Sequence, residues 1–394
     1  MNRHLPKQAD VIIIGGGIIG VSTAYYLARK GVKDVLLLEK NIMGEGATGK
    51  CAGGIRTQFS TEINVQFSLV SRGVFEKFQE EFGVDPEFHQ TGYLFLTADE
   101  SRWRNLQQNT QLLKTLNVEV ELLNPKDIQS RWPFVKVDDL VGGSYTAHDG
   151  YAGIYEVLNG FINGARRHGA KLCEQVEVTG IKVENGRLQA VETATGEQVE
   201  TRVVVNAAGP YAAGVAALAG LDLPVRPLRR QIFFTDTFDD LPATFPMVID
   251  LERGWYMRRE GKGLLLAGPQ DAESSFNETV DFEGKEWTAT NSVHRVPVLQ
   301  RAQIASGWAG LYDISPDHHA IIGTFPELPG FICANGFSGH GFQHSPAAGM
   351  LLAELIVEGK ARTIDIKPLR PQRFREGDLI QEPLVAFLDG DTLT

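Results

Sequence analysis

Cysteine is nearly absent from this chain: Cys51, Cys173 and Cys333 are odd in number and far apart. No CxxC occurs, so neither a disulfide framework nor a zinc cluster is indicated, and a reducing cytoplasm is the natural expectation. Adjacent His318 and His319 point in different directions and have no evident third partner, so no metal is expected. Long apolar runs are missing too. No stretch approaches the roughly 18 apolar residues that span a bilayer. Met1 to Asp10 is polar and charged, so no secretory signal is expected either. A basic excess is also lacking. The formal net charge of −11 argues against nucleic acid and anionic membranes as partners. It does not exclude an anionic substrate, because one local arginine can override the global balance. Internal repeats and low-complexity linkers are absent.

What is present is concentrated near the N-terminus. The apolar run Val11 to Ile14 meets Gly15-x-Gly17-x-x-Gly20. A helical pattern follows and stops at Gly31, and a second apolar run, Val35 to Leu38, ends in Glu39. Strand, glycine turn, helix, strand and acidic terminus together form a dinucleotide-binding βαβ fingerprint. Gly15 allows the tight turn, Gly17 lets a pyrophosphate approach the backbone, and Gly20 lets helix and strand pack. Ile18 and Ile19 open the helix, whose free N–H groups and partial positive charge face the diphosphate. Glu39, followed by Lys40, is placed to accept from an adenosine ribose.

The remaining organisation is interleaved. A chain of 394 residues exceeds one ordinary core, so two domains are expected. Residues 1–82, 144–222 and 303–365 read as one discontinuous nucleotide-binding domain. Residues 83–143 and 223–302 read as a β-rich domain inserted twice, and 366–394 as a charged, irregular tail. The sequence predicts a helix over Val157 to His168, a strand around Cys173 to Val178, and hairpin turns at Asn185-Gly186 and Thr195-Gly196. Val203 to Asn206 reads as a strand buried on both faces. Ser345 as N-cap with Pro346 at the first helical position predicts a helix stopped by Gly359.

Four patches in this order resemble the D-amino-acid-oxidase-like flavoenzymes, which include glycine oxidase, the sarcosine oxidases and proline dehydrogenase beta subunits. They are the nucleotide motif, Gly46 to Arg56, Val205 to Pro210, and Gly310 to Asp317 joined to Ala334 to Gln343. The similarity runs to about Lys360. It implies an α/β fold: a Rossmann-like, glutathione-reductase-type FAD-binding domain with an inserted β-rich substrate domain. It implies FAD, held by the motif residues together with Ala47, Thr48, Lys50, Val176, Ala207, Gly209, Gly310, Gly336, Ser338, Gly339, His340, Gly341 and Phe342. Thr48 is a phosphate or ring hydroxyl donor. Backbone N–H groups of the glycine-rich loop near a helix start would stabilise charge on the ring.

By the same resemblance Arg56 pairs with the carboxylate of an amino-acid substrate, a contact suited to the guanidinium fork. The alternative for Arg56 is a salt bridge to Glu62 or another acid. Tyr256 and Arg258 are candidates for the far wall or lid, and His340 and Gln343 complete the catalytic set. Two family lysines are replaced. Gln343 stands where sarcosine oxidases hold a carboxylate-binding lysine. Leu265 stands where monomeric ones hold a lysine above the flavin, although Lys50 offers a charge from another side. Gly310 replaces the cysteine used for covalent flavin attachment, so FAD is expected to be non-covalent. His148 marks where heterotetrameric sarcosine oxidases attach a second flavin, FMN. Here it reads as a surface histidine. The implied activity is oxidation of a small primary or secondary amino acid, like sarcosine, glycine or proline, to an imine by hydride transfer to flavin N5. A dehydrogenase with an electron-accepting partner or companion subunits is expected. The alternatives are a peroxide-producing oxidase and a flavin-binding assembly subunit.

Overall fold

The computed structural model describes residues 4–381. Its first sheet grows from the βαβ unit. Strand β1 (Val11–Ile14) and strand β2 (Val35–Leu38) are buried at every position and pair in parallel. Helix α1 (Ile18–Arg29) crosses between them, and Gly31 takes φ 91 just after its end. The full order is Ile321–Phe325, Leu328–Asn335, Val204–Asn206, β1, β2, Lys171–Cys173. All pairs are parallel except the Ile321–Phe325 edge. Continuous Val/Ile/Leu runs suit this sheet because both faces are covered. On one face α1 packs with the helices Ile154–Arg167 and Gly341–Glu358. The α1 approach to the last helix is close: a Cβ on Gly349 would lie 2.3 Å from Ser22 Oγ. The other face carries the antiparallel meander Val178–Glu184, Arg187–Thr193, Gln198–Glu200. Its first turn takes Asn185 and Gly186 to positive φ, the geometry such hairpins require.

The second sheet has eight strands, in the order Ile304–Ile314, Arg226–Thr235, Gly263–Gln270, Trp255–Glu260, Met247–Asp250, Tyr93–Thr97, Gly142–Thr146, Glu121–Leu123. Alternation sorts its side chains. Leu94, Leu96, Trp255, Met257, Leu264 and Leu266 form a core, which Trp287 of the Phe282–Arg295 helix packs against. Tyr93, Phe95 and Tyr256 belong to the opposite face.

Several expectations need correction. The strands Gly142–Thr146 and Ile304–Ile314 pair in the eight-stranded sheet, so boundaries at 143/144 and 302/303 cut or displace them. The expected strand from Cys173 to Val178 is two strands, ending at Cys173 and restarting at Val178. The last helix starts at Gly341, not at Pro346. Proline lacks the N–H that would bond Phe342 O, and Ser345 Oγ donates to that carbonyl instead, at 2.9 Å. Gly359 does end the helix, with φ 76. The described part of the expected tail is irregular apart from one short helix and the 3-10 turn Lys367–Leu369. A helix at Arg373–Glu376 buries Arg373, which binds both oxygens of Asp317 at 2.8 Å. Residues 382–394 of that tail lie outside the described residues.

Candidate active site

Two adjoining cavities lie between the sheets. The first, about 390 Å³, follows the carboxyl ends of β1 and β2, where open α/β sheets bind ligands. Gly15, Gly17, Ile18, Ile19, Glu39, Lys40, Ala47, Thr48, Lys50, Val176, Ala207, Gly209, Gly339, Gly341 and Phe342 all line it. The glycines of the motif are needed for different reasons. A Cβ on Gly15 would meet Ala207 O at 2.4 Å, and one on Gly20 would meet Gly15 O at 1.9 Å. Those two serve packing, and Gly20 does not line the cavity. A Cβ on Gly17 meets only Thr48 Oγ1, at 3.2 Å. No protein atom fills the space before Gly17, so the missing side chain leaves room for a ligand.

The polar groups suit a dinucleotide. Thr48 Oγ1 accepts from Ile18 N at 3.0 Å, which leaves its own proton to donate into the cavity at the start of α1. Glu39 accepts from Gly16 N at 2.6 Å and Asn41 N at 2.8 Å. Its carboxylate is thereby fixed at the end of β2, with lone pairs left for hydroxyl donors. Lys40 Nζ stands 3.2 Å from the centroid of the Tyr211 ring. Lys50 pairs with Glu278 at 3.0 Å in the cavity wall.

The glycine-rich loop is built on Asp313. Its carboxylate accepts from Gly336 N at 2.8 Å and Phe337 N at 3.2 Å. Burial raises this carboxyl to about 6. Gly336 therefore shapes the loop and does not line the first cavity. Gly310 faces the Lys50 side chain, with its own Cβ position 2.8 Å from Lys50 Cβ, and is likewise not a lining residue. Ser338 and His340 line the second cavity instead of the first.

That second cavity, about 100 Å³, shares Cys51, Tyr312, Gly339 and Phe342 with the first. All four expected catalytic residues, Arg56, Tyr256, His340 and Gln343, line it. Arg56 is buried, its Cζ 4.2 Å from the Phe59 ring centroid and 5.4 Å from that of Phe95. Its Nη2 lies 3.0 Å from His340 Nε2. A guanidinium can only donate, so His340 Nε2 accepts and the imidazole proton sits on Nδ1. Burial, with the Arg56 charge beside it, holds the His340 pKa well below the usual histidine value. His344 is pushed down to about 3 by the same two causes. Both rings are neutral. Gln343 Oε1 accepts from Arg56 N at 2.9 Å, and its amide nitrogen lies 3.1 Å from His344 Nε2. Gln343 thus positions Arg56 through the backbone.

Other expected residues lie elsewhere. Arg258 is absent from the lining. Its Nε donates to Ala52 O at 2.7 Å and its Nη1 pairs with Glu260, so it ties down the loop before Arg56. Leu265 lines neither cavity. It is 1% exposed on its strand, so its apolar side chain carries no argument about oxygen. His148 is a surface residue 3.6 Å from Glu119. His319 bonds Thr61 and Asp317 O, and among the described residues no group of side chains could hold a metal. Among the described residues no helix is long and apolar enough to cross a membrane. Sequence reasoning missed Tyr93, Arg230, Gln270 and Tyr312 in the second cavity. An arginine doublet, Arg229-Arg230, inside an apolar strand was the available signal.

The comparisons with known proteins agree with this geometry. The Xenopus laevis protein "FAD-dependent oxidoreductase domain-containing protein 1" is 32% identical, over 96% of this chain and 84% of that one. Human mitochondrial sarcosine dehydrogenase is 30% identical over 91% of this chain, which spans only 41% of that protein. The crystal structure of L-proline dehydrogenase from P. horikoshii matches with a TM-score of 0.90 and 33% identity, covering 95% of this chain and 100% of that chain. The FAD dependent oxidoreductase family matches residues 10–355. This chain belongs to that family, and its cofactor is FAD.

Proposed function

We propose that this protein oxidises an amino acid, primary or N-alkylated, to an imine. One observation carries the reading: the cavity that suits FAD opens, across Cys51, Tyr312, Gly339 and Phe342, into a second cavity holding the buried Arg56. The six-stranded sheet is read as the Rossmann-like, glutathione-reductase-type domain and the eight-stranded sheet as the inserted substrate domain.

Gly17, Thr48, the α1 N-terminus and Glu39 would hold the non-covalent cofactor, and the glycine loop on Asp313 would face its ring. Bound FAD supplies the hydride acceptor. Arg56 binds the substrate carboxylate through its guanidinium fork. His340 is neutral, so it adds no second positive charge to compete for that carboxylate. Gln343 and His344 fix the Arg56 backbone, which fixes the carboxylate and thereby the α C–H. No carboxylate lines the second cavity, so no general base is assigned and the amine binds deprotonated.

A dehydrogenase is favoured over an oxidase because the dehydrogenase-named chains are 30% and 33% identical, against 26% for a glycine oxidase structure. An electron-accepting partner belongs to the same proposal. The free cysteines fit a reducing compartment, cytoplasmic or, as that human relative's name has it, mitochondrial. The test is anaerobic mixing of the flavoprotein with sarcosine, glycine and proline, followed by air or an artificial dye. Bleaching of the flavin, fast recovery with dye and slow recovery in air are expected. No bleaching by any amino acid overturns the proposal, and rapid peroxide formation makes the protein an oxidase.

A further inference from the structure

The second cavity has a lining of unbalanced charge. Arg56 and Arg230 both line it, and no Asp or Glu does. Burial and the Arg56 charge keep His340 neutral, so it adds no charge to that wall.

Arg230 is 6% exposed and forms no ion pair among the described residues. Its Nη2 donates to Gly254 O, while its Nε is buried with no partner. Gln270 sits opposite it in register on the neighbouring strand, and both atoms of its side-chain amide are buried without a partner. The Tyr256 ring flanks Arg230, its centroid 5.5 Å from Arg230 Cζ. Buried polar atoms are nearly always satisfied, and a buried charge left alone is costly. Unsatisfied donors from two residues on one cavity wall therefore point to a ligand atom that completes them. The Arg230 guanidinium and the Gln270 N–H groups ask for an acceptor, and Gln270 Oε1 is left to accept from a ligand N–H or a water. The planar fork of arginine and the small cavity suit a carboxylate.

We propose that Arg230 and Gln270 form a pocket for a second substrate carboxylate, so that the amine oxidised here carries two, the first held by Arg56. This rests on the amino-acid reading above and narrows it. A monocarboxylate on Arg56 would leave the Arg230 guanidinium without a carboxylate, whereas a dicarboxylate reaches both.

The test uses the flavin-loaded full chain and ligands that cannot be oxidised to an imine. Methoxyacetate, with one carboxylate, is compared with diglycolate and methoxysuccinate, with two at different spacings. Binding is read from the flavin spectrum. Sarcosine, iminodiacetate and N-methylaspartate are compared in parallel by anaerobic bleaching. At least one diacid is expected to bind roughly 10- to 100-fold more tightly than its monoacid, the range for a hydrogen-bonded charge. Arg230→Gln and Gln270→Leu should reduce that preference far more than they weaken the monoacid. Arg230→Lys, which keeps the charge, should retain part of it, and it carries the test if Arg230→Gln loses its flavin.

Equal binding of monoacids and diacids overturns the proposal while leaving amino-acid oxidation standing. So does a diacid preference indifferent to every Arg230 and Gln270 variant. If no amine bleaches the flavin, the oxidation reading falls. A diacid preference lost in Arg230→Gln would then still establish the carboxylate pocket.

Discussion

Arg229 and Arg230 are consecutive on one strand, both buried, and kept in opposite ways. Alternation sends them to opposite faces of the sheet. On one face Arg229 meets Asp271 and Asp281, each at 2.8 Å. On the other Arg230 meets a carbonyl and a tyrosine ring, and sits in register with Gln270, whose amide is unsatisfied. Two further buried arginines that serve the fold follow the first pattern. Arg373 has Asp317, and Arg295 has Asp250 and Asp139. An arginine that holds structure has its guanidinium filled, by carboxylates or, at Arg259, by the carbonyls of Phe238, Leu241, Pro242 and Lys262. Arg230 has neither a carboxylate nor a full set of carbonyls, and the proposed second carboxylate would take that place.

The comparison can be broken where the effect is largest. Asp317→Ala leaves Arg373 buried without a carboxylate and should cost about 3–5 kcal/mol of stability, seen in denaturant unfolding. A neutral outcome would mean that this protein tolerates lone buried arginines, and the contrast with Arg230 would lose its force. Next, Arg56→Gln should keep flavin bound but raise the amino-acid concentration for half-reduction by about 2–5 kcal/mol of lost affinity. An unchanged concentration would make Arg56 structural.

A smaller effect concerns the neutral histidines behind Arg56. His344 is pushed down to about 3 in the fold by burial and by Arg56. As pH falls below 6.5, the unfolded chain takes up its proton and the folded chain does not, so stability falls with pH between 6.5 and 3. In that window the loss is about 1.4 kcal/mol per pH unit for one such group. Asp313, raised to about 6, contributes with the opposite sign, its stabilisation lost as pH rises through 6. The measurement is therefore the difference between wild type and His344→Phe, whose stability should depend less on acid. The smallest effect lies on the solvent side of the arginine pair. Asp271→Asn with Asp281→Asn should cost roughly 1 kcal/mol, because both acids are partly exposed.

The two cavities differed in how much of them could be read from sequence. Gly15, Gly17, Gly20 and Glu39 lie within one βαβ unit, where local backbone geometry sets position. The loop from Gly336 to Gly341 is likewise contiguous, and Phe337, Gly339 and Gly341 line the first cavity. Arg230 and Gln270 were not legible. Their meeting depends on strand register, including a bulge between Arg230 and Ile232. Leu265 failed for a related reason: a place in an aligned strand does not say which cavity, if any, a side chain reaches. Pro346 misled because Ser345 replaces the bond that proline removes, so the helix continues through it.

The central claim is that a carboxylate on Arg56 places an amine beside the cofactor. The most direct measurement is anaerobic flavin bleaching by an N-methyl amino acid and by its methyl ester. The ester keeps the amine and the α C–H and removes the charge. The acid should bleach the flavin and the ester should do so only at far higher concentration. Equal bleaching by both would contradict the account.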